Sequence, residues 1–394
     1  MKRVLVAIDS LQIGGITSSY KSILMQIAKI PSFEVHPIVL NNQNLNNPNY
    51  VQVKASKVIS VFYINKNEVK IMKTGIKILY FITRLFKYVL GELNTKRIFF
   101  SFVKKQRYDV VISFSNDIYK NSRKTYLTNI YVSKCTQSYT KIAWIHADPF
   151  DIGINSKIAK KIYKNFNKIV CVSNEHKYRI DYFCKSIRHK TIPIKNFIDY
   201  QSIVSKSNEF EVPFSKEVIN ILTVGRVEFE TKGIDRIVDI SIMLIENGIR
   251  NFVWNVIGTG KNYGDMLSLI QVKSLTEHVI LKGELSNPYP YMKHSDILVL
   301  PSRFEAFPVV VLEAHCLYLP VIVTKYPSAI EQIRERENGL IAENNIDDLF
   351  QKILFFIKDN NYKHVKRSMQ NHSYEDDAQS LTNLYAILGV DNNA

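Results

Sequence analysis

The sequence predicts an α/β protein built from two Rossmann-like domains, each a parallel sheet with helices on both faces. Three observations carry this. At 394 residues the chain exceeds what one ordinary core supports. Short apolar runs rich in β-branched residues alternate with longer helix-like stretches, the pattern of strands joined by crossover helices. Two such series of similar size flank a polar stretch at 200–216 that contains Pro213. The boundaries expected are 1–205 for the first domain, 206–375 for the second, and a polar C-terminal tail over 376–394 that packs back in part.

The elements of the first half follow in order. Residues 2–8 read as a strand, followed by Gly14-Gly15 and a helix over 17–30. A second strand spans 34–40, and an Asn-rich loop follows at 41–50. Further buried strands are expected at 109–114, 141–145 and 168–172. Residues 66–105 differ: apolar positions such as Ile78, Phe81, Ile82, Leu85 and Phe86 are interleaved with Lys66, Lys70, Lys73, Lys77, Arg84 and Lys87. Such a stretch suits an anionic membrane with its apolar side down, or a pair of amphipathic helices packed on the sheet. The second half predicts strands at 218–224, 251–257, 278–281, 297–300 and 321–323, with a helix over 233–248.

Composition bounds the functional classes. Hydrophobic content of 46% and charged content of 22% belong to a globular chain. No segment reaches the roughly 18 apolar residues of a spanning helix. Residues 1–11 reach Asp9 at once and lack a small-residue cleavage site, so they read as a first strand rather than a signal peptide. Cys135, Cys171, Cys184 and Cys316 are scattered without metal spacing, which suits a reducing cytoplasm. The charge is uneven. Residues 1–200 hold 33 Lys/Arg against 11 Asp/Glu, a net +22, whereas 201–394 hold 19 against 25, a net −6. A basic half implies an anionic partner or a Lys-rich solvated surface.

Two constellations carry chemistry. The expected strand at 218–224 ends in Gly225-Arg226, and Lys232-Gly233 follows at the mouth of a helix. Two cations at a strand's carboxyl end suit a diphosphate, Arg226 by its fork and Lys232 as a point charge; alone they could equally be surface cations. The second is Glu305 and Glu313 within Pro301-Ser-Arg-Phe-Glu-Ala-Phe-Pro-Val-Val-Val-Leu-Glu313. Pro308 suits the first position of a helix. Glu305 then lies in the loop before it and Glu313 about 7.5 Å along it. The N–H groups of Val309 and Val310 form a phosphate seat, with a carboxylate on either side for sugar and ribose hydroxyls.

These motifs, with Leu319-Pro320-Val321-Ile322, Glu331 and Asn338-Gly339-Leu340, resemble the retaining glycosyltransferases of the GT-B fold, family 4 type, carrying the glycosyltransferase group 1 domain. The resemblance is dense over 218–345. In the first half Gly14-Gly15, His146 in Trp-Ile-His-Ala-Asp, Val172-Ser173 and Asn196 with Asp199 match the family more thinly. The resemblance implies two domains facing a central cleft, the first on the acceptor side and the second binding the donor. It implies that Arg226 and Lys232 neutralise the diphosphate leaving group, with Gly14 and Gly15 facing the donor phosphates. Glu305 would bind the donor sugar and Glu313 the ribose, while the amides of Phe307, Pro308's successor Val309 and Val310 hold the distal phosphate. His146 would lie near the transferred sugar. Fixed cations and amides on the phosphate side suit the charge that develops as the sugar leaves. Retention without a protein nucleophile follows from the family, so Glu305 and Glu313 are not a hydrolase pair.

The function implied is transfer of a hexose-type sugar from a nucleoside-diphosphate sugar, UDP by preference, to a lipid-linked or glycan acceptor in surface polysaccharide assembly. The nucleotide sugar is a co-substrate; no cofactor and no metal are expected. The enzyme is expected in the cytoplasm, peripheral on the membrane face through 66–105, without nucleic acid. A non-catalytic accessory subunit and a nucleotide-sugar epimerase of the same fold are the alternatives. A nucleic-acid protein explains the basic half but leaves the Glu305–Glu313 segment without a role. Gly258-Thr-Gly-Lys261 lacks the spacing of a phosphate-binding P-loop. The sequence departs from the family at Ala306 and Tyr318, where Gly is usual, and at Lys325-Tyr-Pro-Ser328, which replaces a Gly-Gly turn.

Overall fold

Each half of the chain begins on a strand whose side chains are almost wholly buried, and a sheet grows to both sides of that strand. A computed structural model describes residues 1–9, 11, 14–40, 105–115, 127–149, 152–215, 217–371 and 377–390. The chain divides into two compact units, one of residues 1–195 with 378–394 and one of residues 196–377.

In the first unit β1 (Lys2–Ile8) pairs in parallel with β2 (Phe33–Val39) on one side and β4 (Val110–Phe114) on the other. The helix α1 (Gly15–Ala28) connects β1 to β2. The two-residue strands β3 (Gln106–Arg107) and β5 (Thr136–Gln137) pair separately, and α2 (Leu127–Cys135) precedes β5. The series continues through β6 (Thr140–Ile145), α3 (Ser156–Tyr163), β7 (Lys168–Cys171), α4 (Asn174–Phe183) and β8 (Thr191–Pro193). The sheet order is β2-β1-β4-β6-β7-β8. Val110 to Phe114 are all buried, the continuous apolar run of a strand covered on both faces.

The second unit contains α5 (Tyr200–Ser207), β9 (Ile219–Val224), α6 (Phe229–Lys232), α7 (Arg236–Glu246), β10 (Phe252–Ile257), α8 (Tyr263–Val272), β11 (Val279–Gly283) and α9 (Tyr289–His294). It continues with β12 (Ile297–Leu300), α10 (Val309–Cys316), β13 (Val321–Thr324), α11 (Ala329–Gln332), β14 (Gly339–Ala342), α12 (Ile346–Ile357) and α13 (Asn361–Gln370). Its sheet order is β11-β10-β9-β12-β13-β14. The chain steps outward from β9 through β10 to β11, then returns to the other side of β9 as β12. That reversal makes a crevice at the carboxyl ends of β9 and β12, where open α/β sheets bind ligands. One apolar core, with Trp254 and Phe356, lies under α7, α8, α12 and α13. The other, with Val311 and Ala314, lies under α5, α9, α10 and α11.

The structure differs from the sequence reading at several boundaries. The expected domain break at 205 falls ten residues late, because Ile198 and Ile203 are buried in the core beneath α10 and carry 196–205 into the second unit. The segment 376–394, expected as a polar tail that packs back in part, does pack back, as α14 (Ala378–Leu388), which buries Leu384, Ile387 and Leu388. It packs on the first unit: Ser380 Oγ accepts the Lys195 N–H at 2.9 Å, and Asn383 Nδ2 donates to Pro193 O at 2.8 Å. The helix expected over 233–248 forms as α7, a few residues shorter, and the short turn α6 precedes it up to Gly233. The amphipathic reading of 66–105 lies outside the described residues except at Lys105. Among the described residues, no helix is long and apolar enough to cross a membrane.

Candidate functional site

The loops after β9 and β10 are locked together by backbone. Val227 N–H donates to Thr259 O at 3.0 Å, and Asn262 N–H to Val227 O at 3.1 Å. A Cβ at Gly258 would stand 1.9 Å from Gly225 O, and one at Gly260 would stand 2.4 Å from Val227 O. Gly258-Thr-Gly260 therefore serves close backbone approach and fixes the course of 225–227.

The next turn, α6, ends at Gly233 in the left-handed region, φ +61°. A Cβ there would lie 2.2 Å from Pro301 O, so only glycine lets this turn lie against the loop after β12. A polar lattice joins the two loops. Arg303 forks onto Asp235 with both contacts at 2.7 Å, and its Nη1 also donates to Phe229 O. Arg303 N–H donates to Thr231 O at 2.8 Å. Arg236 Nη1 donates to Pro301 O at 3.0 Å and to Asn344 Oδ1 at 2.7 Å, while Asn344 Nδ2 donates to Arg303 O at 3.0 Å.

This lattice brings Lys232 to Glu305: Nζ stands 2.6 Å from Oε1. Ser302 Oγ donates to the same oxygen at 2.8 Å. The side chains are 23% and 9% exposed, so the pair is shielded without being sealed. A pocket opens beside it, lined by Gly225, Lys232, Ile234, Ser302, Glu305 and Val310 among others. This is the crevice between β9 and β12. Arg226 is not among the lining residues. Its side chain is 60% exposed, and Nη1 pairs with Glu228 Oε1 at 2.6 Å. Thr231 Oγ1 donates to the other Glu228 oxygen at 2.6 Å, so Glu228 ties Arg226 to the turn bearing Lys232.

Helix α10 begins at Val309, one position after the start expected at Pro308, which is instead its extended N-cap residue (φ −66°, ψ 122°). The N–H groups of Phe307, Val309 and Val310 donate to no acceptor among the described residues. Phe307 itself is buried. Further along the helix Glu313 accepts a hydrogen bond from Tyr289 Oη at 3.1 Å. Burial first, and the Glu313 carboxylate second, push the Tyr289 phenol far above its ordinary range, so it stays a donor. The pocket and these amides thus bring together Lys232, Glu305 and the residues 307–310.

The remaining expected residues belong to the first unit. Gly14 is the N-cap of α1 at φ +153°, a conformation that favours glycine, and Gly15 opens the helix. His146 follows β6, edge-on to Phe114 at 4.4 Å, and burial and then the nearby His176 push its pKa down to about 3. The sequence reading missed His176. This buried ring accepts the Val172 N–H on Nδ1 at 3.1 Å, so Nε2 carries the proton and donates to Ala147 O at 2.9 Å. Asp148 is held by Arg179, so α4 braces the loop that carries His146. Ser302, Glu228, Tyr289 and the Arg303–Asp235 pair were also missed. Their signal was present only as polar residues adjoining recognised motif positions.

Residues 204–374 match the model of the family described as glycosyl transferases group 1. The chain is 28% identical over 260 residues to an uncharacterized glycosyltransferase of Methanocaldococcus jannaschii, covering 62% of this chain and 61% of that relative. It therefore spans less than two thirds of that relative's length. It is 23% identical over 281 residues to the UDP-Gal:alpha-D-GlcNAc-diphosphoundecaprenol alpha-1,3-galactosyltransferase of Escherichia coli, covering 66% of this chain and 69% of that protein. Among solved structures, HepE of Anabaena in complex with UDP and glucose superposes with a TM-score of 0.70 at 13% identity, covering 99% of this chain and 100% of that one. At that identity the likeness defines the fold, which is GT-B.

Proposed function

We propose that this chain transfers a hexose-type sugar, with retention, from a nucleoside-diphosphate sugar to a lipid-linked or glycan acceptor of surface polysaccharide assembly. The observation that carries the reading is the Lys232–Glu305 pair at 2.6 Å in the β9–β12 crevice, beside the unengaged amides at the start of α10. A cation and N–H groups suit a diphosphate, and a carboxylate beside them suits sugar hydroxyls. As the sugar–phosphate bond breaks, negative charge grows on the phosphate, and groups fixed on that side stabilise it more than the ground state. Lys232 and Arg226 supply positive charge, so this reading requires no metal ion. Glu313, oriented by Tyr289, would accept from the ribose. UDP is the preferred nucleotide, supported by the complex of the structural neighbour HepE. A lipid-diphosphate acceptor is supported by the diphosphoundecaprenol substrate in the name of the E. coli relative. Gly14, Gly15 and His146 are assigned to the acceptor-side unit, and contact with an anionic membrane to 66–105.

The test is transfer activity with a panel of nucleotide sugars, chosen first by thermal shift, since a ligand bound to the native state raises its stability. Lys232→Ala and Glu305→Ala should each lower transfer by about a hundredfold or more while the melting temperature holds. Wild-type rates in both variants would remove the assignment.

A further inference from the structure

Three successive carbonyls ahead of α10 are held by side chains. Ala306 O accepts from Ser328 Oγ, Phe307 O from Asn196 Nδ2 at 3.0 Å, and Pro308 O from Gln332 Nε2 at 3.0 Å. Gln332 is buried, and Tyr326 Oη donates to its Oε1 at 2.8 Å, which fixes the orientation of its amide. In a planar trans peptide the N–H points opposite to the C=O of the same unit. Anchoring the Ala306 and Pro308 carbonyls therefore fixes the N–H groups of Phe307 and Val309 toward the other side. Proline supplies no N–H between them. Neither amide donates to an acceptor among the described residues. Ala306 lies outside the positive-φ residues, so its Cβ leaves this arrangement unstrained.

We propose that Ser328 and Gln332, the latter braced by Tyr326, are positioning residues that aim these two amides at the distal phosphate of a nucleoside diphosphate. The inference rests on the donor-site reading above. It gives a function to the Lys325-Tyr-Pro-Ser328 turn, where two of the three side chains involved arise in place of a Gly-Gly turn. Two amides turned away from their anchored carbonyls at a helix start would discriminate by the presence of the distal phosphate, so the test reads that discrimination and not activity alone.

The ligand is chosen as whichever of UDP, GDP, ADP and dTDP most raises the melting temperature of the wild-type chain. Calorimetric affinities are then measured for that diphosphate and for its monophosphate, with Ser328→Ala, Gln332→Ala and the conservative Ser328→Thr. Each alanine variant should lose about tenfold in diphosphate affinity, the size of one hydrogen bond to a charged group. Monophosphate affinity should stay at the wild-type value, and Ser328→Thr should restore diphosphate binding. Equal losses for both nucleotides, or no loss for either, would overturn the proposal while leaving the donor site standing. If Gln332→Ala does not fold, the Ser328→Ala and Ser328→Thr pair decides by the same ratio. A wild-type chain that binds none of the diphosphates overturns both readings.

Discussion

His315 is 3% exposed within α10, and burial pushes its pKa down to about 3 against a smaller upward pull from a hydrogen bond to the Asn338 backbone. The unfolded chain takes up a proton as pH falls through about 6.5, whereas the native chain stays neutral until about 3. Native stability is therefore whole above pH 6.5 and falls below it, by up to about 1.4 kcal/mol per pH unit from this residue. Denaturant titrations between pH 7 and 4 should show that slope, and His315→Gln should lessen it by this residue's share, with His146 still contributing in the same direction. An unchanged slope in the variant would show that His315 is charged in the folded chain. Tyr318, two residues past the end of α10, adopts φ +53°. Its family position is usually Gly, and a left-handed tyrosine costs about 1 kcal/mol. The sequence exposed the departure at Tyr318 but not its backbone cause, since φ is set by the close of α10. Lys232, Glu305 and Val310 were legible because motif spacing placed them at strand ends. Ser302 and Tyr289 were not, because a hydroxyl that orients a carboxylate leaves no periodic trace.

At the scale of elements, the turn after β9 and the loop after β12 behave as one piece. Arg303 and Asp235 join them by a two-point fork that a lysine cannot reproduce. Arg303→Lys and Asp235→Asn should therefore displace Lys232 relative to Glu305 and lower kcat by roughly ten- to a hundredfold, the cost of ångström-scale misplacement. The double variant should fall no further than the worse single one, as expected for residues acting as a unit. Independent, multiplying losses would show that the two side chains serve separate purposes. Most strands were legible from apolar runs alone. The helix expected at 233–248 forms as α7, whereas the short turn α6 before it escaped notice, because nothing local in the sequence reveals that a Cβ at Gly233 would strike Pro301 O. The β14 strand also escaped notice, since Gly339-Leu-Ile-Ala is too short for periodicity to register.

At the scale of the molecule, the charge imbalance is the feature the sequence displayed most openly. The proposed contact of 66–105 with anionic lipid was read from the +22 of residues 1–200 and is open to a direct test. Replacing Lys70, Lys73, Lys77 and Lys87 by Gln should weaken sedimentation with phosphatidylglycerol vesicles at low salt by tenfold or more, at about 1 kcal/mol per removed charge. Binding as strong as wild type would place the contact elsewhere. The two-domain plan was legible because each βα series repeats its own alternation. For the last residues only the partial packing back was legible: Leu384, Ile387 and Leu388 are a sparse apolar set in a polar stretch, so the helix they form and the unit they cover escaped notice.

That returning helix also sets an order of synthesis. Residues 196–377 leave the ribosome as an uninterrupted unit, with both of their apolar cores encoded in one stretch. The earlier unit must wait for α14, the last described helix, before Pro193 and Lys195 find Asn383 and Ser380. Translation thus completes the later-encoded half first, the reverse of the usual N-terminal precedence. A stop codon placed just after 377 would leave the donor-site residues encoded whole while depriving the other half of its closing piece.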